Sequence, residues 1–273
     1  MGDVRAKPDF IASSEDAGAA FAELDDVLWD PISRATVLRS QPRFDERVLD
    51  ACAGDGASAL PTAELVGPGG GVDAVDLAEP LVAILRERAG ERMPQLRPHV
   101  ADATTWPYTG YDLVQCVLGL LFFDDSAAGA RHLVECVRPG GRAVFTVWGP
   151  GALDPVGELL AEVLPVDDDR VPEFDESRRA TIVGAETAGS FAHWLAERGL
   201  VDVRAEVVPR HLDLTPELAW RLVVGTGLRA FVAGLDDETR DGVRERYLAA
   251  LETRGTTSVD LTTLIAVGHR PTE

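Results

Sequence analysis

The stretch that most constrains this chain is RVLDACAGDGASA, residues 47–59. Apolar Val48 and Leu49 lead to Asp50, Gly54 and Gly56 follow, and an alanine-rich helical pattern then begins. A strand, a glycine turn and a helix in that order make a cleft at the carboxyl end of a parallel strand, where open α/β sheets bind ligands. Without a Cβ, Gly54 and Gly56 let the backbone turn with φ > 0 and approach a ligand closely. A plain strand-to-helix turn is the ordinary alternative, because a lone glycine motif is weak evidence.

Residues 54–59 fit the loose dinucleotide pattern G-x-G-x-x-G/A, which raises a nicotinamide cofactor. The charges point elsewhere. Asp50 ends the strand, Asp55 sits between the glycines, and Arg86 is the only basic residue between Asp50 and Glu87. Two carboxylates beside a helix N-terminus repel a pyrophosphate, which wants N–H groups and positive potential. They favour a ligand that carries an ammonium and a sulfonium. S-adenosylmethionine has both and no phosphate. Residues 72–76 read as a second short strand ending in Asp76, 20 residues beyond Gly56, the distance at which such folds place a carboxylate on ribose hydroxyls.

Four segments, in order and spacing, carry a resemblance: Leu49-Asp50-Ala51-Cys52-Ala53-Gly54-Asp55-Gly56, Val75-Asp76-Leu77, Ala101-Asp102-Ala103 and Val137-Arg138-Pro139-Gly140-Gly141-Arg142. Over residues 48–149 the chain resembles the class I S-adenosylmethionine-dependent methyltransferases, in their small-molecule branch (the ubiquinone/menaquinone C-methyltransferase-like type 11). It departs from that family at Cys52, which stands where the family's first glycine is usual. The resemblance implies a doubly wound, mostly parallel, seven-stranded α/β sheet of the Rossmann type with an N-terminal helical arm and a lid insertion. It divides the chain into an arm (1–46), a cofactor-binding core (47–149), a lid insertion (150–189) and the rest of the core (190–273). It places S-adenosylmethionine on Asp50, Ala51, Cys52, Gly54, Gly56, Asp76, Leu77, Asp102, Ala103 and Leu118, with Asp102 on the adenine amino group and Ala103 giving a backbone N–H. For Asp102 alone, a turn cap is the competing reading.

Along the chain, Ala20, Phe21, Leu24, Val27 and Leu28 fall on one helical stripe, and Pro31 is expected to start a second helix. Further helices are expected over 57–66, after Pro80, over 126–137, around Trp194, after Thr215-Pro216 and from Asp236 or Asp237 to Gly255. Strands are expected near residues 99–101, 111–118, 142–148, 201–208 and 262–269. Four prolines and the run Asp167-Asp168-Asp169 break the rhythm between 149 and 189, and segments of that kind in compact domains are usually functional or disordered. Trp29, Phe122, Phe123 and Trp148 are the aromatic candidates for an acceptor pocket, core packing being the plain alternative for Trp29.

The 273 residues are enough for one sizeable α/β domain with insertions. A formal net charge of −20 disfavours nucleic acid and anionic membranes. No apolar run nears the roughly 20 residues of a membrane span, and residues 1–7 have no signal-peptide core behind them. The 3 cysteines show no metal-ligand spacing, so a reducing cytoplasm, no disulfide framework and no metal are expected.

Methyl transfer from a sulfonium asks mainly for alignment and a dry site, so a side-chain base is optional. Of the 5 histidines, His132 and His193 fall off the apolar stripes and are expected in solvent, while His211, after the sixth strand, is a weak candidate base. The resulting expectation is methyl transfer to a small, largely apolar metabolite by a monomer or homodimer. The alternatives are a methyltransferase-fold protein catalysing a non-methylating reaction such as a cyclisation, a nicotinamide oxidoreductase, and a non-catalytic interaction subunit.

Overall fold

A computed structural model describes residues 15–164 and 186–272. Residues 1–14 of the expected arm and 165–185 of the expected insertion, with Asp167, Asp168 and Asp169, lie outside the described residues. Strands β1 (Arg47–Ala51), β2 (Gly71–Asp76), β3 (Leu96–Val100), β4 (Tyr111–Val117) and β5 (Val137–Trp148) are parallel. Beyond β5, the last strand, β9 (Thr263–His269), runs antiparallel between β5 and β6 (Val201–Val208). The order β3-β2-β1-β4-β5-β9-β6 is the seven-stranded doubly wound sheet expected from the resemblance.

The strand pleat sorts the core into two faces, because successive side chains point to opposite sides. Leu49 and Ala51 of β1 pack with helices α5 (Ser126–Cys136) and α7 (Ala188–Ala196). Val48 packs on the other side with α3 (Ala59–Val66) and α4 (Glu79–Ala89). Both faces are therefore covered, which is why β1, β2 and β4 are almost wholly buried. The arm contributes α1 (Glu15–Ala22) and α2 (Asp30–Ser40). Helix α2 is pinned to the sheet by a buried contact of 2.6 Å between the Thr36 and Thr146 hydroxyls and by Arg142, whose Nε donates to the Ser40 carbonyl at 2.6 Å.

A third apolar cluster caps the carboxyl ends of β4 and β5. It joins Leu24, Leu28 and Ile32 of the arm to Leu118, to α6 (Asp154–Val163), α8 (Pro216–Gly225) and α9 (Asp237–Arg254), and to a ribbon of β7 (His211–Asp213) and β8 (Ser258–Asp260). The helix signals are used as expected. Thr215 accepts from Leu218 N–H, Asp236 from Thr239 N–H, and Gly255 closes α9 at φ 64°.

Some boundaries differ from expectation. No break precedes Pro31: a π-turn over Asp25–Trp29 runs directly into α2. Strand β5 begins at Val137, because the Pro139-Gly140-Gly141 turn is absorbed as a register irregularity inside it. The β7–β8 ribbon is an additional element beyond the expected strands. Among the described residues, no helix is long and apolar enough to cross a membrane.

Candidate active site

Strand order reverses between β1 and β4, so the crevice at their carboxyl ends is the switch point where ligands bind in open α/β sheets. Both strand ends carry a non-glycine residue in the left-handed region, Cys52 at φ 59° and Leu118 at φ 56°. Such conformations cost free energy and concentrate at functional sites. Gly119, next to Leu118, fits against two thiols: a Cβ built on it would stand 2.6 Å from Cys52 Sγ and 2.8 Å from Cys116 Sγ. Contact with the Cys116 thiol and burial push the Cys52 thiol well above its usual range, so it is a neutral wall of the crevice.

Asp50 closes β1 from inside. Its Oδ2 accepts from the Ser58 hydroxyl at 2.7 Å, while Oδ1 is buried with no hydrogen-bond partner among the described residues. Burial raises its carboxyl to about 7, against the pull of Ser58 and Gln115. Ser58 therefore does not cap α3, which begins at Ala59 rather than at residue 57. Ala51, the strand's last residue, is buried beside it.

Asp76 ends β2 and holds the glycine turn. Its Oδ2 accepts from Gly54 N–H at 2.9 Å and Oδ1 from Ala78 N–H at 2.8 Å. Burial pushes this carboxyl up, against those backbone N–H groups. Gly54 and Gly56 have φ of 56° and 102°. The Gly54 face is covered by the Phe21 ring, 3.4 Å from where a Cβ would stand, and a Cβ on Gly56 would strike Leu85 at 2.3 Å. Leu77, next to Asp76, is 52% exposed, an apolar surface suited to a flat base. Asp102 caps a short 3-10 turn, with both Thr104 N–H and Thr104 Oγ1 on its Oδ1, so the turn-cap reading is realised on one oxygen. Ala103 is buried behind it.

Asp55 corrects one step of the charge reading. Its side chain is fully buried against Arg88 of α4, whose Nη1 stands 3.0 Å from Asp55 Oδ2. Arg88 lies just beyond the window in which basic residues are scarce, so Asp55 turns to a guanidinium that it shares with Asp25 rather than to the crevice, where Asp50 and Asp76 stand at the strand ends.

Of the acceptor-pocket candidates, Trp29 and Trp148 pack on the cap cluster together with Leu118. Phe123 is in the sheet core under α5, where a Cβ on Gly129 would meet it at 2.3 Å, and Phe122 is 41% exposed. Trp29 Nε1 donates to the Phe21 carbonyl at 2.9 Å and the two rings stack with centroids 4.4 Å apart. His211 is exposed on β7, opposite Asp260. His193 faces solvent as expected, but His132 does not: its Nε2 lies 3.0 Å from the Trp106 carbonyl oxygen in a part-buried position. No group of three or more His, Cys, Asp or Glu among the described residues could hold a metal ion. Gly119 heads the apolar loop 119–123, where the resemblance implies the floor of the methyl-transfer pocket. Sequence reasoning gave no site role to Phe21, Ser58, Gln115 or Arg88, which left no local signal.

The arrangement fits S-adenosylmethionine. The buried Asp50 Oδ1, with no hydrogen-bond partner among the described residues, is an acceptor of the kind an ammonium needs, and the carboxyls of Asp50 and Asp76 do not suit a phosphate. A family profile described as a methyltransferase domain matches residues 48–141. The chain is similar to nocamycin O-methyltransferase of Saccharothrix syringae, 29% identical over 231 residues, covering 78% of this chain and 80% of that one. It is also similar to aklanonic acid methyltransferase DauC of Streptomyces sp. (strain C5), 30% identical over 149 residues, covering 54% of this chain and 68% of that one. In fold it matches a phosphoethanolamine N-methyltransferase of Haemonchus contortus in complex with phosphomonomethylethanolamine and S-adenosylhomocysteine, with a TM-score of 0.61 and 17% identity, over 99% of this chain and 61% of that one.

Proposed function

The chain belongs to the class I S-adenosylmethionine-dependent methyltransferases that act on small molecules, and from that premise we propose that its acceptor is a largely apolar metabolite bound under the helical cap. The observation that carries this reading is the position of the cap cluster, whose apolar side chains meet the strand-end crevice at Leu118, Trp29 and Trp148. The relatives named for nocamycin and aklanonic acid support a metabolite of that general kind.

When bound, the cofactor supplies a methyl group already activated on a sulfonium. The chain's own residues then have positioning work. Asp50 takes the ammonium on its unpaired oxygen. Asp76 keeps lone pairs for the ribose hydroxyls beyond the two N–H groups it already holds. Leu77 lies against the base, with Asp102 and Ala103 at its edge. Cys52 and Leu118 bring backbone to the crevice in left-handed turns, and Phe21 with Trp29 covers Gly54 and keeps water out. Aligning two reactants in this way accounts for about 7–11 kcal/mol of barrier. In this reading the arm covers the cofactor mouth and the 150–189 insertion is a lid over the acceptor, residues 1–14 and 165–185 lying outside the described residues.

Incubating the protein with a metabolite extract and a methyl-labelled donor tests the proposal. Labelled product matched by S-adenosylhomocysteine is the expected result. Turnover of an acceptor without S-adenosylhomocysteine would instead support a cyclisation or other non-methylating reaction.

A further inference from the structure

Arm, glycine turn and α4 meet at a guanidinium that the cofactor reading does not use. Arg88, in the last turn of α4, places Nη1 3.0 Å from Asp55 Oδ2 and donates from the same nitrogen to the Asp55 carbonyl at 3.3 Å. Its Nη2 donates to Asp25 Oδ2. Asp25 opens the π-turn Asp25–Trp29, and its side chain is 14% exposed. Turns of this kind are rare and frequent at functional sites. Trp29 closes the turn and is bonded and stacked to Phe21, the ring that lies over Gly54. One turn of chain thus connects the Arg88 pair at one end with the aromatic roof at the other.

The charges at this junction do not balance. Two acids share one guanidinium, and Asp30, whose charge also acts on Asp25 and Arg88, is itself paired with Arg34. The Asp25 and Asp55 carboxyls meet at the same guanidinium, one on each terminal nitrogen of Arg88. Burial, then the charge of Asp25, pushes Asp55 up to about 7. An ionised Asp55 repels the Asp25 carboxylate, and a protonated one does not.

We propose that Arg88 is a positioning residue for cofactor binding: with Asp25 and Asp55 it clasps the arm to the glycine turn, so that Phe21 and Trp29 close over Gly54 when the clasp is made. The link to binding rests on the cofactor reading above, whereas the link between arm and turn does not.

The test uses the full chain, with amide exchange over residues 15–29 in the free protein and calorimetric titration with S-adenosylhomocysteine. Arg88→Met and Asp25→Ala should each speed arm exchange about tenfold or more and weaken binding by a similar factor. The double variant should be no worse than Arg88→Met alone, because both cut one clasp. Arg88→Lys should restore part of the loss. Raising the pH from about 6 to about 8 should speed arm exchange, after correction for the intrinsic rate, in the natural chain. It should not do so in Asp55→Asn, whose side chain stays neutral at every pH. Unchanged arm exchange in Asp25→Ala and Arg88→Met, or strictly additive effects in the double variant, would overturn the clasp. Should Arg88→Met fail to fold, Asp25→Ala decides alone, since it leaves the Arg88–Asp55 pair intact. A natural chain that does not bind S-adenosylhomocysteine sinks the cofactor reading, and arm exchange still judges the clasp.

Discussion

Around the glycine turn, position is set by polar groups with few alternatives: Asp76 holds two backbone N–H groups, Ser58 reaches back to Asp50, and Arg88 straddles two acids. In the cap, position is set chiefly by apolar surface from α6, α8, α9 and the arm, with polar contacts such as Arg254 to Glu162 at its exposed margin. Hydrogen bonds have direction and a fixed reach, whereas apolar burial is non-directional and scales with area. A change at the turn should therefore damage binding more than folding, and a change in the cap should do the reverse.

The largest effect expected is at Asp76. Asp76→Ala removes a carboxylate from the ribose and frees Gly54 N–H. With each charge-assisted bond worth about 1.5–3 kcal/mol, S-adenosylhomocysteine affinity should fall roughly 100-fold or more. An unchanged dissociation constant by calorimetry would remove Asp76 from the site. Leu160→Ala probes the cap, where Leu160 is fully buried. It should lower unfolding free energy by about 2–5 kcal/mol in denaturant titration, with affinity of the folded fraction held within about twofold. A tenfold loss of affinity there would break the division between the two regions.

Asp50 sharpens it further, because stability and binding oppose one another at this residue. Its folded value of about 7 lies above the ordinary 3.8, so the folded chain holds the extra proton between those values. Stability is then fully present below about pH 4 and declines as pH rises through about 7. The whole effect is bounded at about 4 kcal/mol, and Asp50→Asn should recover about 1–2 of it at pH 8 while weakening cofactor binding. Loss of stability in this variant at pH 8 would refute the account. The smallest effect is expected at Tyr247, whose buried hydroxyl has no hydrogen-bond partner among the described residues. Tyr247→Phe should raise stability by about 0.5–1 kcal/mol. A drop beyond 1 kcal/mol in thermal or chemical unfolding would reveal a partner for that oxygen.

The same contrast explains what was legible in the sequence. The strand-turn-helix at Asp50 to Gly56, and Asp76 at its fixed interval, are local patterns with a geometric cause, and the fold places them at the switch point. Thr215, Asp236 and Gly255 likewise act through their nearest neighbours. The Arg88 clasp was not legible, since its partners come from the π-turn and the glycine turn and only tertiary packing brings them together. His132 looked solvated by helical stripe alone, yet the Trp106 carbonyl reaches it from another loop. Phe122 and Phe123 are consecutive, but one is partly exposed and the other is under α5, a distinction that hydrophobicity does not encode. The β7–β8 ribbon pairs residues about 47 positions apart over 3 residues each, too short for an alternation to register.

The place of β9 between β5 and β6 sets an order of events during synthesis. Strand β6 borders only β9 in the sheet, so it emerges from the ribosome with both edges unpaired and stays so until residue 269 has been made. Strands β1 to β4, with the glycine turn, have their neighbours much earlier, and β5 waits for β9 on its outer edge alone. Long-range pairings of this kind are slow and leave strand edges exposed to association. A nascent chain stalled before β9 is therefore a hazard for chaperones to manage, with an assembled crevice beside an open sheet edge, and the bulge at Asp202 and the charges Arg204 and Glu206 on β6 are the kind of features that discourage edge-to-edge pairing while it waits.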